Sequence, residues 1–264
     1  MKILVCVKQV ASLDEEFELG GDGLSVDPEF VEWELNEWDS FALEAALRLR
    51  EQIGASGDEV VVATVGAEVA EDGLLGCLAR GADRAVRVWD ESLASADVLV
   101  VARVLAAVAR REQPDLVLCG VQSSDAVNGA TGTALAGLLA LRRVAVVKRI
   151  EPEPEGRALV VERELEGGLL ERLRVKLPAL LTVQTGIFEP RYATLRAIKQ
   201  AREKPLERLG PGELGLSPEE LSGHAGARLV ALRPPERGEG AQLLDGSADR
   251  IAARILELVR ERVG

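Results

Sequence analysis

The chain has little of what most catalytic and metal sites are made from. It carries one histidine in 264 residues, so a His-rich metal site is excluded, and a His-based triad would have to use His224, which reads as a surface loop residue in a Ser-Gly-His-Ala-Gly context. The three cysteines, Cys6, Cys77 and Cys119, form no CxxC pair. Two fall inside apparent strands, which fits buried free thiols in a reducing compartment. No glycine-rich turn is followed by Lys-Ser/Thr, no GxGxxG occurs, and no hydrolase nucleophile elbow is present. Apolar runs stop short of the ~18 residues that span a bilayer, and MKILVCVK reads as a strand with no leader, so a cytoplasmic protein without membrane insertion is expected. A basic surplus is missing too: a net charge of −12 repels nucleic acid and anionic membranes.

What is present is a core. The hydrophobic content is 47%, enough for one large domain or a domain with an appendage. Buried-looking runs at 2–8, 59–65, 85–89, 115–119 and 144–148 are separated by helical patterns that start at Asn36 and span 67–80, 96–111 and 128–141. This predicts an α/β fold, an open and mostly parallel Rossmann-like sheet with helices on both faces. Segments 158–164 and 170–176 flank Glu166-Gly167-Gly168 and predict an added antiparallel hairpin, with a further strand at 179–184. From residue 202 the prolines and glycines suggest a C-terminal extension, a linker followed by a helix over 247–263. The domain reading is 1–201 for a nucleotide-binding α/β domain and 202–264 for the linker and helix. That helix needs a surface to cover, in the same domain or on another subunit.

The chemistry concentrates in Asp115 to Thr133, DLVLCGVQSSDAVNGATGT. A short strand runs into a loop of small and polar residues that opens onto a small-residue helix. Gly120 permits a turn, while Gly129, Ala130 and Gly132 let an anion approach the first-turn amides, and Thr131 adds a hydroxyl. Asp125 and Asn128 are placed to cap amides or to hold a ribose or base. An ordinary strand-to-helix connection with a good cap fits the same spacing. In open parallel sheets ligands bind at the carboxyl ends of strands. That rule gathers Cys6, Val7 and Lys8, Asn36 and Asp39, Val65 and Gly66, and the 120–131 loop around one adenine nucleotide, with amides near Gly66 and Cys6 meeting the base. Locally, Asn36 and Asp39 also fit a capping box, and Lys8 a solvated strand end. A second segment, Gly186 to Leu195, is apolar for a loop that contains Pro190. It reads either as partner anchors or as local core closure, the latter for Phe188 and Tyr192.

Together VCVKQV at 5–10, NEWDSFALEAA at 36–46, GADRAVRV at 81–88, the 115–132 loop, ERELEGG at 162–168 and LPALLTVQTGIFEPRYATLRAIKQA at 177–201 resemble the beta subunit of electron transfer flavoproteins. The resemblance implies a heterodimer with a larger alpha subunit that holds most of one redox-active FAD. This chain would hold a structural AMP through Cys6, Asn36, Glu37, Trp38, Asp39, Val65, Gly120, Gln122, Asp125, Asn128, Gly129 and Thr131. Leu13 and Glu164 would lie near the flavin. Glu189, Pro190, Arg191, Tyr192 and Leu195, in a partner-recognition loop at about 184–198, would dock client dehydrogenases such as acyl-CoA dehydrogenases. Electrons would leave through a quinone oxidoreductase, and the chain would have no catalytic residues of its own. Two departures from the family pattern are Glu37, where proline often stands, and Phe188, where asparagine is usual. The Asn128 and Thr131 pair resembles the AMP-holding branch rather than the branch with a second FAD. The rival class is a free-standing nucleotide-dependent enzyme or ATP-binding module of similar fold.

Overall fold

The runs KILVC, EVVVATV and LVLCG are almost wholly apolar, and such strands are stable only where helices cover both faces of a sheet. The computed structural model describes residues 1–13, 17–154, 157–222, 226–234, 240–241 and 243–263; His224 lies outside the described residues. Its strands are β1 (Lys2–Cys6), β2 (Gln9–Leu13), β3 (Val31–Leu35), β4 (Glu59–Val65), β5 (Arg84–Val88), β6 (Leu116–Gly120), β7 (Arg142–Pro152), β8 (Ala158–Glu164), β9 (Leu170–Lys176), β10 (Ala179–Val183) and β11 (Leu206–Leu209). Its helices are α1 (Glu37–Ile53), α2 (Ala70–Arg80), α3 (Val98–Glu112), α4 (Thr131–Leu139), α5 (Leu195–Ala201), α6 (Pro218–Ser222) and α7 (Ala248–Val263).

Among the described residues nine strands form one open sheet in the order β11-β5-β4-β1-β6-β10-β7-β8-β9. Neighbours from β11 to β7 are parallel, and the β8–β9 hairpin adds antiparallel strands at one edge. The two-residue period of the strands divides the core. Ile3 and Val5 pack with Ala42, Leu43 and Leu74 of α1 and α2 on one face. Leu4 and Val117 pack with Val104 and Leu135 of α3 and α4 on the other. Strand order reverses beside β1, so a crevice opens where β1, β4 and β6 end.

The fold class, the hairpin and the parallel strands follow the sequence pattern. The structure also differs from it in places. β2 and β3 form a separate antiparallel ribbon, and the Pro/Gly-rich stretch after 202 contains β11, which extends the sheet beside β5. The helix expected over 128–141 is shorter. Val127 and Gly129 adopt φ of 52° and 57°, and Ala140 adopts 52°, left-handed conformations that an α-helix does not contain, so α4 is confined to the residues between them. Met1–Val230 forms one compact unit and Ala231–Gly264 a second. Within the second, α7 carries Ile255, Leu256, Val259 and Val263 exposed.

A buried acid fastens the segment after β10. Glu44 in α1 is 2% exposed and accepts from Arg191 Nε at 2.8 Å and from Arg48 Nε at 2.7 Å. Arg191 also reaches Glu51 at 2.6 Å, and the Arg48 guanidinium lies 4.9 Å from the centre of the Phe188 ring. Burial works to raise the Glu44 carboxyl, but hydrogen bonds from Arg191 and Arg48 outweigh it and hold the group below its usual 4.5. Glu44→Gln is expected to destabilise the chain by about 2 kcal/mol in urea unfolding at neutral pH. The native carboxyl titrates below the unfolded one. Its contribution is therefore present above pH 4.5 and is lost as pH falls through the lowered native value, so the gap between parent and variant closes in acid.

Candidate functional site

The crevice at the strand ends is a cavity of about 510 Å³, within the ~300–1,000 Å³ typical of small-molecule sites. Cys6, Asn36, Asp39, Val65, Gly120, Gln122, Asn128, Gly129 and Thr131 all line it. Glu37 and Trp38 do not. Glu37 is exposed on the first turn of α1, and Trp38 donates its indole N–H to Gln184 Oε1 at 3.0 Å. Leu13, at the end of β2, and Glu164, which ends β8 and pairs with Lys148 at 3.5 Å, also lie outside the cavity lining.

The residues at the start of α1 do not form the expected capping box. Asn36 occupies the cap position but its side chain makes no capping hydrogen bond. Its amide instead donates to Gln122 O at 2.9 Å, and its oxygen accepts from Ser124 N at 3.2 Å. Asp39 points across the sheet, accepting from Lys8 N at 2.9 Å and Gly120 N at 2.8 Å. Both side chains are buried, and the strand ends and the loop after β6 offer them partners beyond their own helix turn. Burial raises the Asp39 carboxyl to about 6 against the pull of the Asn36 side chain, of these amides and of the Lys8 charge.

Two of the glycines that line the cavity are also required by packing. A Cβ on Gly120 would lie 2.5 Å from Trp38 Cβ and 2.9 Å from the Trp38 carbonyl carbon, so glycine here lets α1 begin against the end of β6. A Cβ on Gly132 would lie 2.6 Å from Thr182 Cγ2 and 2.7 Å from Cys119 Sγ, so glycine there seats α4 on the sheet. Gly66 N is already donated to Val88 O at 3.2 Å, which removes it as an amide for a base. Lys8 is not simply a solvated strand end: its ammonium pairs with Asp125 at 2.6 Å, closing β1 against the loop. Asp125 itself stands outside the lining.

The two helix N-termini at the cavity differ in charge. Asp97 caps α3, accepting from Leu99 N at 3.0 Å and Val100 N at 2.9 Å. α4 begins after Ala130 with no side-chain cap, and Ala130, Thr131 and Gly132 line the cavity. Its amides and the positive end of its dipole suit an anion, whereas the Asp97 carboxylate repels one from α3. An apolar wall of Trp89, Leu93, Val98 and Val101 faces the same space and suits a flat base. Sequence reasoning missed this wall. Trp89 carried a signal, since it follows the end of β5 at the ligand-binding edge; Ala227, which also lines the cavity, carried none. Cys6 and Cys119 complete the floor as buried thiols, the first pushed up to about 12 by burial.

The segment from Ile187 to Leu195, expected from the sequence to dock partners, is arranged differently. Ile187 is buried and Phe188 packs against the core, but Tyr192 is 92% exposed, so it does not close the core. Leu195 is 81% exposed and opens α5, which Thr194 caps through Ala197 N. Glu189 is exposed, Pro190 is half-buried, and Arg191 is held by Glu44 and Glu51. Among the described residues no cluster able to hold a metal is found, and no helix is long and apolar enough to cross a membrane.

Asp39→Asn keeps the size of the side chain but turns an NH₂ toward one of two backbone donors, and is expected to cost ~1–3 kcal/mol. On unfolding the carboxyl returns from about 6 to 3.8, so as pH falls between these values the folded parent takes up a proton first and gains stability. The variant has no such gain. Urea melts at about pH 7.5 and about pH 5 should show the difference between them widening in acid.

The sequence model of the electron transfer flavoprotein domain matches residues 24–213. The chain is 43% identical to electron transfer flavoprotein subunit beta of Methylophilus methylotrophus, over 100% of both chains. It is 34% identical to electron transfer flavoprotein subunit beta of Homo sapiens over 98% of each, and 32% identical to the caffeyl-CoA reductase-Etf complex subunit CarD of Acetobacterium woodii over 99% of each. With full-length likeness of this degree, and with the strand-end cavity in place, the chain belongs to the electron transfer flavoprotein family as a beta subunit.

Proposed function

We propose that the cavity holds one AMP as a structural nucleotide, and that the chain works with an alpha subunit as an electron carrier between dehydrogenases and a quinone oxidoreductase. The observation that carries the nucleotide is the uncapped N-terminus of α4 opening into a cavity of about 510 Å³. The residues fit the group. Gly129, Ala130 and Thr131 supply amides and a hydroxyl for phosphate, and the wall beginning at Trp89 lies where a base would stack. Lys8, among the lining residues, supplies a positive charge that Asp125 already shares. Bound there, AMP satisfies loop amides and fixes the shape of the subunit by mass action on the folded state. It takes no part in redox chemistry. The FAD that carries the electrons is held mainly by the alpha subunit, with Leu13 and Glu164 of this chain near its ring. In this reading the chain has no catalytic residues, and acyl-CoA dehydrogenases, and with them fatty acid oxidation in the cytoplasm, are the expected clients and setting.

Glu189, Pro190, Arg191, Tyr192 and Leu195 form the docking segment for those clients. Support comes from the side chains themselves: Tyr192 and Leu195 project from a segment that Arg191 anchors to α1. A large apolar residue displayed on a fixed backbone loses little freedom on burial in a partner's pocket.

Ligand extraction from the purified subunit pair tests the nucleotide: one FAD and one AMP per pair is the expected result. A second FAD in place of AMP would move the chain to the electron-bifurcating branch of the family, and ATP turnover by the isolated chain would favour a free-standing enzyme. Leu195→Ala is expected to slow electron uptake from an acyl-CoA dehydrogenase about tenfold or more with FAD content unchanged. Loss of FAD from that variant would make Leu195 structural.

A further inference from the structure

Asp97 does more than cap a helix. One of its oxygens, Oδ1, accepts from Leu99 N and Val100 N, while the other, Oδ2, accepts from Gly226 N at 2.6 Å and Ala227 N at 2.9 Å. All four bonds are to backbone amides, so little acceptor capacity remains for a ligand even though Asp97 lines the cavity. Among the described residues, these two bonds are the hydrogen bonds that tie 226–230 to the rest of the unit. Residues 226–230 are otherwise exposed, yet Ala227 forms part of the cavity lining. Shape is not what holds them. A Cβ on Gly226 would meet Leu99 Cδ1 at 2.9 Å, but Leu99 is an exposed side chain that yields. A single carboxylate oxygen therefore keeps a piece of chain against the cavity at the start of α3.

We propose that residues 226–227 are a strap over the nucleotide cavity and that Asp97 is the positioning residue that pins it, setting how fast the bound nucleotide leaves. This rests on the nucleotide reading above. With the strap pinned, a nucleotide whose phosphate sits on α4 has its base end covered by Ala227, and departure requires two charge-assisted hydrogen bonds to open first. With the pin removed, the base end is open to water while the phosphate contacts are untouched. The rate of loss should then change far more than the residues that touch the nucleotide would suggest.

Asp97→Asn separates the pin from the cap. The asparagine oxygen caps α3 as well as aspartate does, whereas its NH₂ replaces the second acceptor and faces two donors. In the purified pair with the alpha subunit, the exchange of bound AMP against excess labelled AMP is followed in parent and variant, along with tryptic cleavage after Arg228. The expected result is AMP exchange faster by about tenfold or more, with cleavage after Arg228 accelerated as well. Accelerated cleavage with unchanged exchange would show a released strap that gates nothing and would overturn the proposal. If neither rate changed, Asp97 would not be the pin, and the proposal would be overturned as well. Unaltered thermal unfolding of Asp97→Asn would show that the α3 cap has survived. If the parent pair yields no AMP on extraction, the nucleotide reading itself fails and the gate falls with it, a result told apart by the ligand analysis.

Discussion

A buried carboxylate organises this molecule's functional end. At the carboxyl edge of a parallel sheet the strands run out of neighbours, and their last amides must find acceptors or lose free energy to desolvation. Asp39 supplies one acceptor for Lys8, just past the end of β1, and one for the last residue of β6 from a single side chain. Its carboxyl nevertheless remains raised to about 6, so the Asn36 side chain, the amides and Lys8 compensate the burial only in part. The arrangement carries a cost, and what it secures is geometry. α1 begins hard against Gly120, Asn36 reaches the carbonyl of Gln122, and the 120–124 loop has one path open to it.

Once the loop is fixed, the neighbouring helix ends take opposite electrostatic roles. Both α3 and α4 start at the cavity, and a helix start attracts anions by default. Asp97 satisfies the α3 amides with a carboxylate, which turns that end against negative charge, while α4 is left without a side-chain cap. A phosphate therefore has one favourable seat, and the orientation of a proposed nucleotide follows from the difference between the two ends. On an acidic chain of net charge −12 this matters, because the global field opposes an anion and only local dipoles and Lys8 favour it.

The sequence revealed the parts of this design that depend on periodicity and missed those that depend on contacts between distant segments. Apolar runs placed β1, β4, β5 and β6 within a residue or two, since a strand buried on both faces has no other way to be written. The loop after β6 announced itself through its small residues. Other features were misread for a common reason. Asn36 and Asp39 have capping-box spacing, but the stronger demand came from amides on strands far away in sequence. For Gly120, read as a turn glycine, and Gly132, read as an anion-approach glycine, the sequence left out the packing neighbours that require them, which belong to α1, β6 and β10. Tyr192 was read as core because tyrosine is large and the segment apolar; the pull of Arg191 toward Glu44 turns the chain so that the tyrosine faces water. β11 is four residues in a stretch of prolines and glycines, too short to leave a pattern.

The same ion pair links the interior to the segment from Glu189 to Leu195. A surface arginine paired with a surface acid contributes little, but Glu44 is buried and would keep only Arg48 as a charged partner if Arg191 let go. The segment from Glu189 to Tyr192 is thus held by the interior's need to neutralise Glu44, with Glu51 added outside. Ile187 beneath and Thr194 at the start of α5 fix either side. Between those fixed points Tyr192 and Leu195 stand out into solvent at 92% and 81% exposure, apolar surface that a folding chain would otherwise bury. In the docking role proposed above, a backbone held at three places lets a partner gain the burial of these side chains without first having to order the segment that presents them.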